Sequence, residues 1–252
     1  NGINGPEYGP DSAGRKKFDV LYRAGMKFIF SLGNVFEPLA HVSEEEFELR
    51  FRQALDRVLP APVMCHPALF AYDISDEPFC RDVPRKNLRR AHEILRERDP
   101  YHPLLYNESP RGVIREYVAK YAAHADAIGT DLYPVIPSIR HSSLEDKTIT
   151  CVGEYMRLYG SFVNWYKPVT VWLQAFSWAE LEKVPGGRLP NIVETRFMSY
   201  DAMANGASMI SYYNDRNFDV SYYNRTLFPV TRELAAMGGV FRLGKTLDKV
   251  AS

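Results

Sequence analysis

The stretch Leu69-Phe70-Ala71-Tyr72-Asp73-Ile74-Ser75, followed by Asp76-Glu77-Pro78, decides the fold class. Its first seven residues are mostly apolar or aromatic and predict a buried β-strand. Pro78 ends the regular strand because it has no backbone N–H and a fixed φ. Two carboxyl groups therefore stand at the end of a buried strand, where they are placed to take part in chemistry.

Strands and helices alternate on both sides of this stretch. Strands are predicted at 26–32, 69–75, 103–107, 126–132, 168–176 and 207–213. Helices are predicted at about 15–24, 43–59, 84–98, 113–122, 151–166, 194–205 and 228–243. This alternation indicates parallel βαβ units. No strand is followed by a GxGxxG or GxxxxGK[ST] loop, so a (β/α)₈ TIM barrel is favoured over a nucleotide-binding doubly wound sheet.

Length, composition and charge agree with one barrel domain. The chain has 252 residues, close to the length of about 250 that is typical of a (β/α)₈ barrel. We find no linker or repeat, and therefore predict a single domain over residues 1–252. Lys plus Arg and Asp plus Glu both number 31, so long-range attraction to nucleic acid or to an anionic membrane is not expected.

Active sites of such barrels lie at the carboxyl ends of the strands, and several predicted strands end in polar residues. Glycoside hydrolysis generally needs two carboxyl groups, one of which protonates the leaving oxygen. Glu77 is the strongest candidate for that acid. The alternative is a structural role, in which Asp76 or Glu77 caps the next helix or pairs with an arginine.

The run from His66 to Pro78, HPALFAYDISDEP, resembles the fourth-strand segment of barrel glycoside hydrolases related to the clan-A families. Four later segments resemble the same enzymes in the same order, and the likeness covers most of residues 20–245. They are DPYHP at 99–103, GTDLYP at 129–134, PVTVWLQAF at 168–176 and RFMSYDAMANGA at 196–207. The resemblance implies an O-glycoside hydrolase in which Glu77 is the general acid.

The resemblance also implies a strand numbering. If the strand before Glu77 is the fourth, strand 26–32 is the third and strand 207–213 the eighth. The first two strands would then be missing from this chain or lie in a separate N-terminal segment of the same protein, and residues 1–14 would form the loop after strand two. An unusual strand within the opening residues is the alternative. Since such enzymes are often exported, the resemblance suggests a secreted or periplasmic location.

One position departs from the family pattern. Retaining clan-A enzymes carry a nucleophilic Glu at the end of the seventh strand, where this chain has Gln174. An amide can only donate and accept hydrogen bonds. The second carboxyl group is therefore predicted to be Asp131 or Glu108, with Glu180 and Glu182 as unsupported substitutes. Alternatively, the enzyme inverts with a more distant base, or the protein binds sugar without cleaving it.

Other residues near strand ends are predicted to contact an oligosaccharide or polysaccharide. Trp178 is the preferred sugar platform, and only one of Tyr212 and Tyr213 should face the site because strand side chains alternate. Core packing or a solvated turn is the alternative for each of them. The predicted set is Asp76, Asn107, Tyr133, Trp172, Gln174, Trp178, Tyr212 and Asn214.

Two further function classes stay open. The first is a non-catalytic carbohydrate-binding barrel that has lost its nucleophile, and the second is a barrel of another enzyme class, such as a lyase or an aldolase. No lysine ends a predicted strand, which argues against Schiff-base chemistry. The chain has no HExxH motif and no clustered metal ligands, so neither a metal nor a cofactor is predicted.

Overall fold

A computed structural model of the protein describes residues 3–4, 12–111, 115–136, 142–214 and 220–243. Its core is a curved sheet in which each neighbouring pair of strands is parallel and the spatial order follows the sequence. The strands are β1 (Ile3–Asn4), β2 (Phe28–Ser31), β3 (Leu69–Asp76), β4 (Leu104–Glu108), β5 (Ala127–Leu132), β6 (Val169–Gln174) and β7 (Ala207–Tyr213).

Helices connect the strands. The longer ones are α1 (Ser12–Arg23), α3 (Glu44–Val58), α5 (Arg85–Arg98), α6 (Arg115–Ala122), α7 (Cys151–Phe162), α9 (Ile192–Ala204) and α11 (Phe228–Leu243). Short helical segments are α2 (Gly33–Phe36), a 3₁₀ turn (Glu37–Leu39), α4 (Ala61–Met64), α8 (Trp178–Leu181), α10 (Val220–Tyr222) and a π-helical turn (Tyr223–Leu227). None of the helices within these ranges is long and apolar enough to cross a bilayer.

The six predicted strands are all present, with ends shifted by two residues or fewer. The prediction of a loop over residues 1–14 is wrong in part, because Ile3 and Asn4 pair with Phe30 and Ser31. A two-residue strand is too short to show a periodic pattern. Together the described residues form a seven-stranded sheet with β1 and β7 at its edges. They show part of a barrel wall, and a closed barrel of eight strands is not shown.

The two faces of the sheet differ. The outer face packs against the helices through a large apolar cluster that includes Phe30, Tyr72 and Ile128. The inner face has a small separate cluster formed by Ala71, Leu105, Ala127, Ile29 and Met209. Side chains alternate along a strand, so the next inner positions toward the carboxyl ends are Asp73, Asn107, Gly129, Asp131, Trp172, Ser211 and Tyr213. The inner face is therefore apolar at one end and polar at the end where barrel active sites lie.

Candidate active site

Glu77 stands in a strained turn at the end of β3. Its φ of +47° lies in the left-handed region, which is unfavourable for a residue with a side chain and doubly so before a proline. The Glu77 backbone N–H donates to the carbonyl of Asn107 at 3.2 Å, which ties the turn to the neighbouring strand. Strained backbone of this kind concentrates at functional sites because the surrounding structure must hold it in place.

Glu108 stabilises this turn from the outer face of the sheet. Its carboxylate is buried on the outer face of β4 and accepts hydrogen bonds from Phe79 N–H at 2.9 Å and Cys80 N–H at 3.4 Å. It also accepts from the Tyr106 hydroxyl at 2.7 Å and from Ser109 N–H at 3.2 Å. The structure therefore does not bring Glu108 to the inner face as a second reacting carboxylate. Its carboxylate instead accepts hydrogen bonds from the backbone that follows Glu77.

Asp131, by contrast, lies on the inner face at the end of β5. The side-chain amide of Asn107 donates to Asp131 at 2.5 Å and to Asp76 at 3.3 Å. One amide nitrogen thus links the carboxyl group at the end of β3 to the carboxyl group on β5. Asp76 also accepts a hydrogen bond from Arg81 at 2.8 Å, and Arg81 in turn contacts Glu37 at 3.2 Å. Two carboxyl groups from different strands are therefore joined at the carboxyl edge of the sheet.

Electrostatics distinguishes Asp131 from an ordinary surface carboxylate. Burial raises the pKa of Asp131 well above its usual value, and the charges of Asp76 and Glu77 raise it further. The hydrogen bond from Asn107 opposes this shift but is outweighed. Shifted pKa values of this kind are typical of carboxyl groups that take part in acid–base or nucleophilic catalysis.

Asp73 is a third inner-face carboxyl group, two residues before Ser75 on β3. Burial raises the pKa of Asp73 to about 7, and the charges of Asp76 and Glu37 add to the shift. Its Oδ1 atom is buried and has no hydrogen-bond partner among the described residues. Asp73 was not among the predicted site residues, although its spacing of two from Ala71 places it on the same face.

The titration of Asp73 should be visible in the pH dependence of stability. Because its folded-state pKa of about 7 lies above the ordinary 3.8, this group favours folding at low pH, and that contribution is lost as pH rises from about 4 to 7. Asp73→Asn removes the ionisation. We expect the variant to gain about 2 kcal/mol over wild type between pH 4 and pH 8, half the full linkage value because the side chain is not fully enclosed.

The measurement is the free energy of urea unfolding at several pH values for the wild type and Asp73→Asn. Asp82→Asn is the matched control, since Asp82 is exposed and no pH-dependent gain is expected from it. Parallel pH curves for the wild type and Asp73→Asn would contradict the prediction.

Arg111 supplies a cation at the rim, and it also was not predicted. Its guanidinium lies 3.5 Å from the Glu77 carboxylate and donates to the Ser109 hydroxyl at 3.1 Å. The alternative in which Glu77 pairs with an arginine is therefore present in the structure. The ion pair is long, and its two partners differ in exposure: the Arg111 side chain is 44% exposed and the Glu77 side chain 13%.

Gln174 is buried and ties two loops together. Its side-chain oxygen accepts from Val135 N–H at 2.9 Å, and its side-chain nitrogen donates to the carbonyls of Val135 at 3.2 Å and Phe176 at 3.1 Å. The amide is thus saturated by backbone groups. Glu180 and Glu182, beyond this strand, are both exposed.

Trp178 is not available as a sugar platform. It is fully buried, its ring packs against Tyr133 and Phe176, and its indole N–H donates to the Tyr133 carbonyl at 3.2 Å. Tyr133 itself is buried in the same aromatic cluster. The structure therefore uses both predicted contact residues for packing, which is the usual role of large aromatic side chains.

On β7 the two tyrosines face opposite sides, and the prediction named the wrong one. The Tyr212 hydroxyl lies 2.7 Å from the Ser199 hydroxyl of α9, on the helix side. Tyr213 is on the inner face and 39% exposed. Asn214 donates to the Tyr223 hydroxyl at 2.9 Å.

Trp172 is half-buried on the inner face of β6. It is paired in register with Asp131 and Ser211, so it is the predicted aromatic residue best placed beside the carboxyl groups.

Comparison with known proteins finds likeness in structure only. No family profile matches the sequence, and no curated protein is significantly similar to it. A GH42 β-galactosidase from G. stearothermophilus (its E323A catalytic mutant) matches with a TM-score of 0.52 and 16% identity, over 90% of this chain and 48% of that chain. A GH2 β-galacturonidase from Eisenbergiella tayi matches with a TM-score of 0.51 and 12% identity, over 93% of this chain and 44% of that chain.

These likenesses show the fold alone. The chain shares the parallel (β/α) architecture of barrel enzymes and spans less than half the length of each of the two glycoside hydrolases. An aldolase also matches, with a TM-score of 0.41 and 11% identity over 84% of this chain and 75% of that chain. That value is too low to carry any argument. Any choice of function must therefore come from the site itself.

Proposed function

We propose that the protein is a glycoside hydrolase in which Glu77 and Asp131 are the two reacting carboxyl groups. The observation that carries the proposal is their shared position. Glu77 is held in a left-handed turn at the end of β3, Asp131 ends β5 on the inner face, and the charge of Glu77 helps to raise the pKa of Asp131. Two carboxyl groups at the carboxyl edge of a barrel sheet suit glycosidic bond cleavage.

Each of the two carboxyl groups has its own role. Glu77, as the general acid, gives its proton to the glycosidic oxygen as the C–O bond breaks. Asp131, as the carboxylate, takes a proton from the water that attacks the anomeric carbon, or attacks that carbon itself.

Aryl glycosides with leaving groups of graded acidity test these roles. A general acid matters most for a poor leaving group, because a good one departs without protonation. We expect Glu77→Gln to lose rate on phenyl glycosides and to keep it on dinitrophenyl glycosides, whereas Asp131→Asn should lose rate on both. The opposite pattern would reverse the roles within the pair. A wild-type rate in both variants would refute the proposal.

The stereochemistry is read in the same assay by following the anomer of the first product with NMR. Retention would assign Asp131 as the nucleophile, and inversion would assign it as the base for water. Either result is compatible with the pair, and it fixes the chemical step that Asp131 performs.

A non-catalytic carbohydrate-binding protein is the second candidate, and Gln174 is the observation that favours it. The position where clan-A relatives are expected to have a nucleophile holds an amide that is fully engaged with backbone groups. Calorimetric titration of neutral oligosaccharides, run beside a turnover assay on the same panel, decides between the two. Saturable binding that Trp172→Ala weakens, without turnover of any bound sugar, would establish the binding protein instead.

A further inference from the structure

The outer side of the molecule contains a cavity with an unusual set of charges. It lies between α5 and α6 on the helix side of the sheet and has a volume of about 270 Å³. Its lining consists of Arg85, Lys86, Leu88, Arg89, Lys120, Tyr121 and His124. Five of these seven residues carry basic side chains. Concentrated positive charge around a small cavity is unfavourable unless an anion balances it.

The neighbouring carboxylates compensate for only part of this charge. Glu93 lies 3.6 Å from Arg89, at the exposed side of α5. Arg85 is held over the ring of Tyr121 at 5.9 Å, and the Tyr121 hydroxyl donates to the carbonyl of Val83 at 2.7 Å. Within the part of the chain that the structure describes, neither Arg85 nor Lys86 takes part in an ion pair. Arg85 is therefore fixed in place and yet available to a ligand.

The backbone adds to the positive potential. Arg85 and Lys86 are the first two residues of α5, a helix of 14 residues whose N-terminus has no side-chain cap. The first N–H groups of a helix and its dipole favour an anion. The cavity therefore combines cationic side chains with the positive end of a long helix.

One of the lining residues is a histidine, His124. Burial lowers the pKa of His124, and the charge of Arg89 lowers it further. His124 is therefore placed to respond to an anion that binds in the cavity.

We propose that the cavity between α5 and α6 is a binding site for a small anion of the phosphate class, free or attached to a sugar-sized group. Its volume lies just below the roughly 300–1,000 Å³ of pockets that take drug-sized ligands, which favours a small ligand. Arginine guanidinium groups and helix N-termini are the usual phosphate ligands in proteins. The site is separate from the inner face of the sheet and does not depend on glycosidase activity.

Calorimetric titration of the whole chain with inorganic phosphate, at constant ionic strength, tests the proposal. We expect saturable binding that Lys86→Gln and Arg89→Gln each weaken about tenfold, because each removes a charge-assisted hydrogen bond. Arg57→Gln is the matched control, since Arg57 is exposed on α3 and loses the same charge outside the cavity. NMR titration should also show the pKa of His124 rising when phosphate is present.

Several outcomes would overturn the site. They are equal binding of chloride, equal weakening by Arg57→Gln, or an unchanged His124 titration with phosphate present. Lys86 is exposed, so its variant keeps the test valid if Arg89→Gln does not fold. A parallel titration with glucose 6-phosphate identifies the source of the anion. If glucose 6-phosphate binds more tightly than inorganic phosphate, the cavity also binds a sugar. If the two bind equally, the site takes the inorganic ion.

Discussion

Glu77→Gln is expected to lower kcat/KM on an unactivated glycoside by about 10²–10⁴, the range that a positioned general acid contributes. The change keeps the shape of the side chain and replaces the carboxyl group with an amide, which cannot act as a general acid. The unfolding midpoint should stay close to that of the wild type, because among the described residues the Glu77 side chain makes one polar contact, at 3.5 Å to Arg111.

Glu180→Gln makes the same chemical change on an exposed helix and should keep full activity. The double variant Glu77→Gln/Asp131→Asn should be little worse than the more impaired single variant, since residues that act as a unit are not additive. Multiplied losses in the double variant would mean that the two carboxyl groups act independently and not as a catalytic pair.

Glu108→Ala is expected to cost about 3–5 kcal/mol of stability. The change leaves the buried Tyr106 hydroxyl without its acceptor and removes the acceptor of the part-buried Phe79 and Cys80 N–H groups. A buried donor without a partner costs roughly 1–3 kcal/mol. The unfolding midpoint should fall by about 10 °C for a chain of this size. Activity should fall as well, because the turn that presents Glu77 loses its support.

Glu108→Gln separates the two effects, since it keeps one acceptor oxygen. It should recover part of the stability and much of the activity. Glu145→Ala, at an exposed position, is the control and should stay within about 0.5 kcal/mol of the wild type. Urea unfolding of the three variants measures the differences. A loss of less than 1 kcal/mol in Glu108→Ala would show that the turn does not depend on this carboxylate.

The fold was predictable where local signals are long and regular. The strand before Glu77 and the long helices could be predicted because apolar runs, proline stops and helix caps are local features of the sequence. Ser43, for example, accepts a hydrogen bond from Glu46 N–H at 3.3 Å, as its spacing predicts. The pairing of Ile3 and Asn4 was missed because such a short strand forms only through its neighbour.

The site was less predictable than the fold, and the errors have a common cause. Proximity to a strand end does not say which way a side chain points. Glu108 and Tyr212 each lie one residue out of phase with the inner face, while Asp73 and Tyr213 lie in phase. Counting alternation from Ala71 would have found Asp73. No local signal could reveal Arg111, because its contact with Glu77 crosses between two loops.

Gln174 determines how easily a carboxylate could be introduced at the end of β6. A Gln174→Glu change would keep the bond from Val135 N–H but turn an oxygen toward the carbonyls that the amide nitrogen now contacts. Two lone-pair repulsions would replace two hydrogen bonds, so this single step is blocked by its own surroundings. The backbone around Gln174 therefore disfavours a carboxylate at this position. An engineer who wants a nucleophile here should first rebuild the loop around Val135, so that its carbonyl no longer faces the side chain of residue 174.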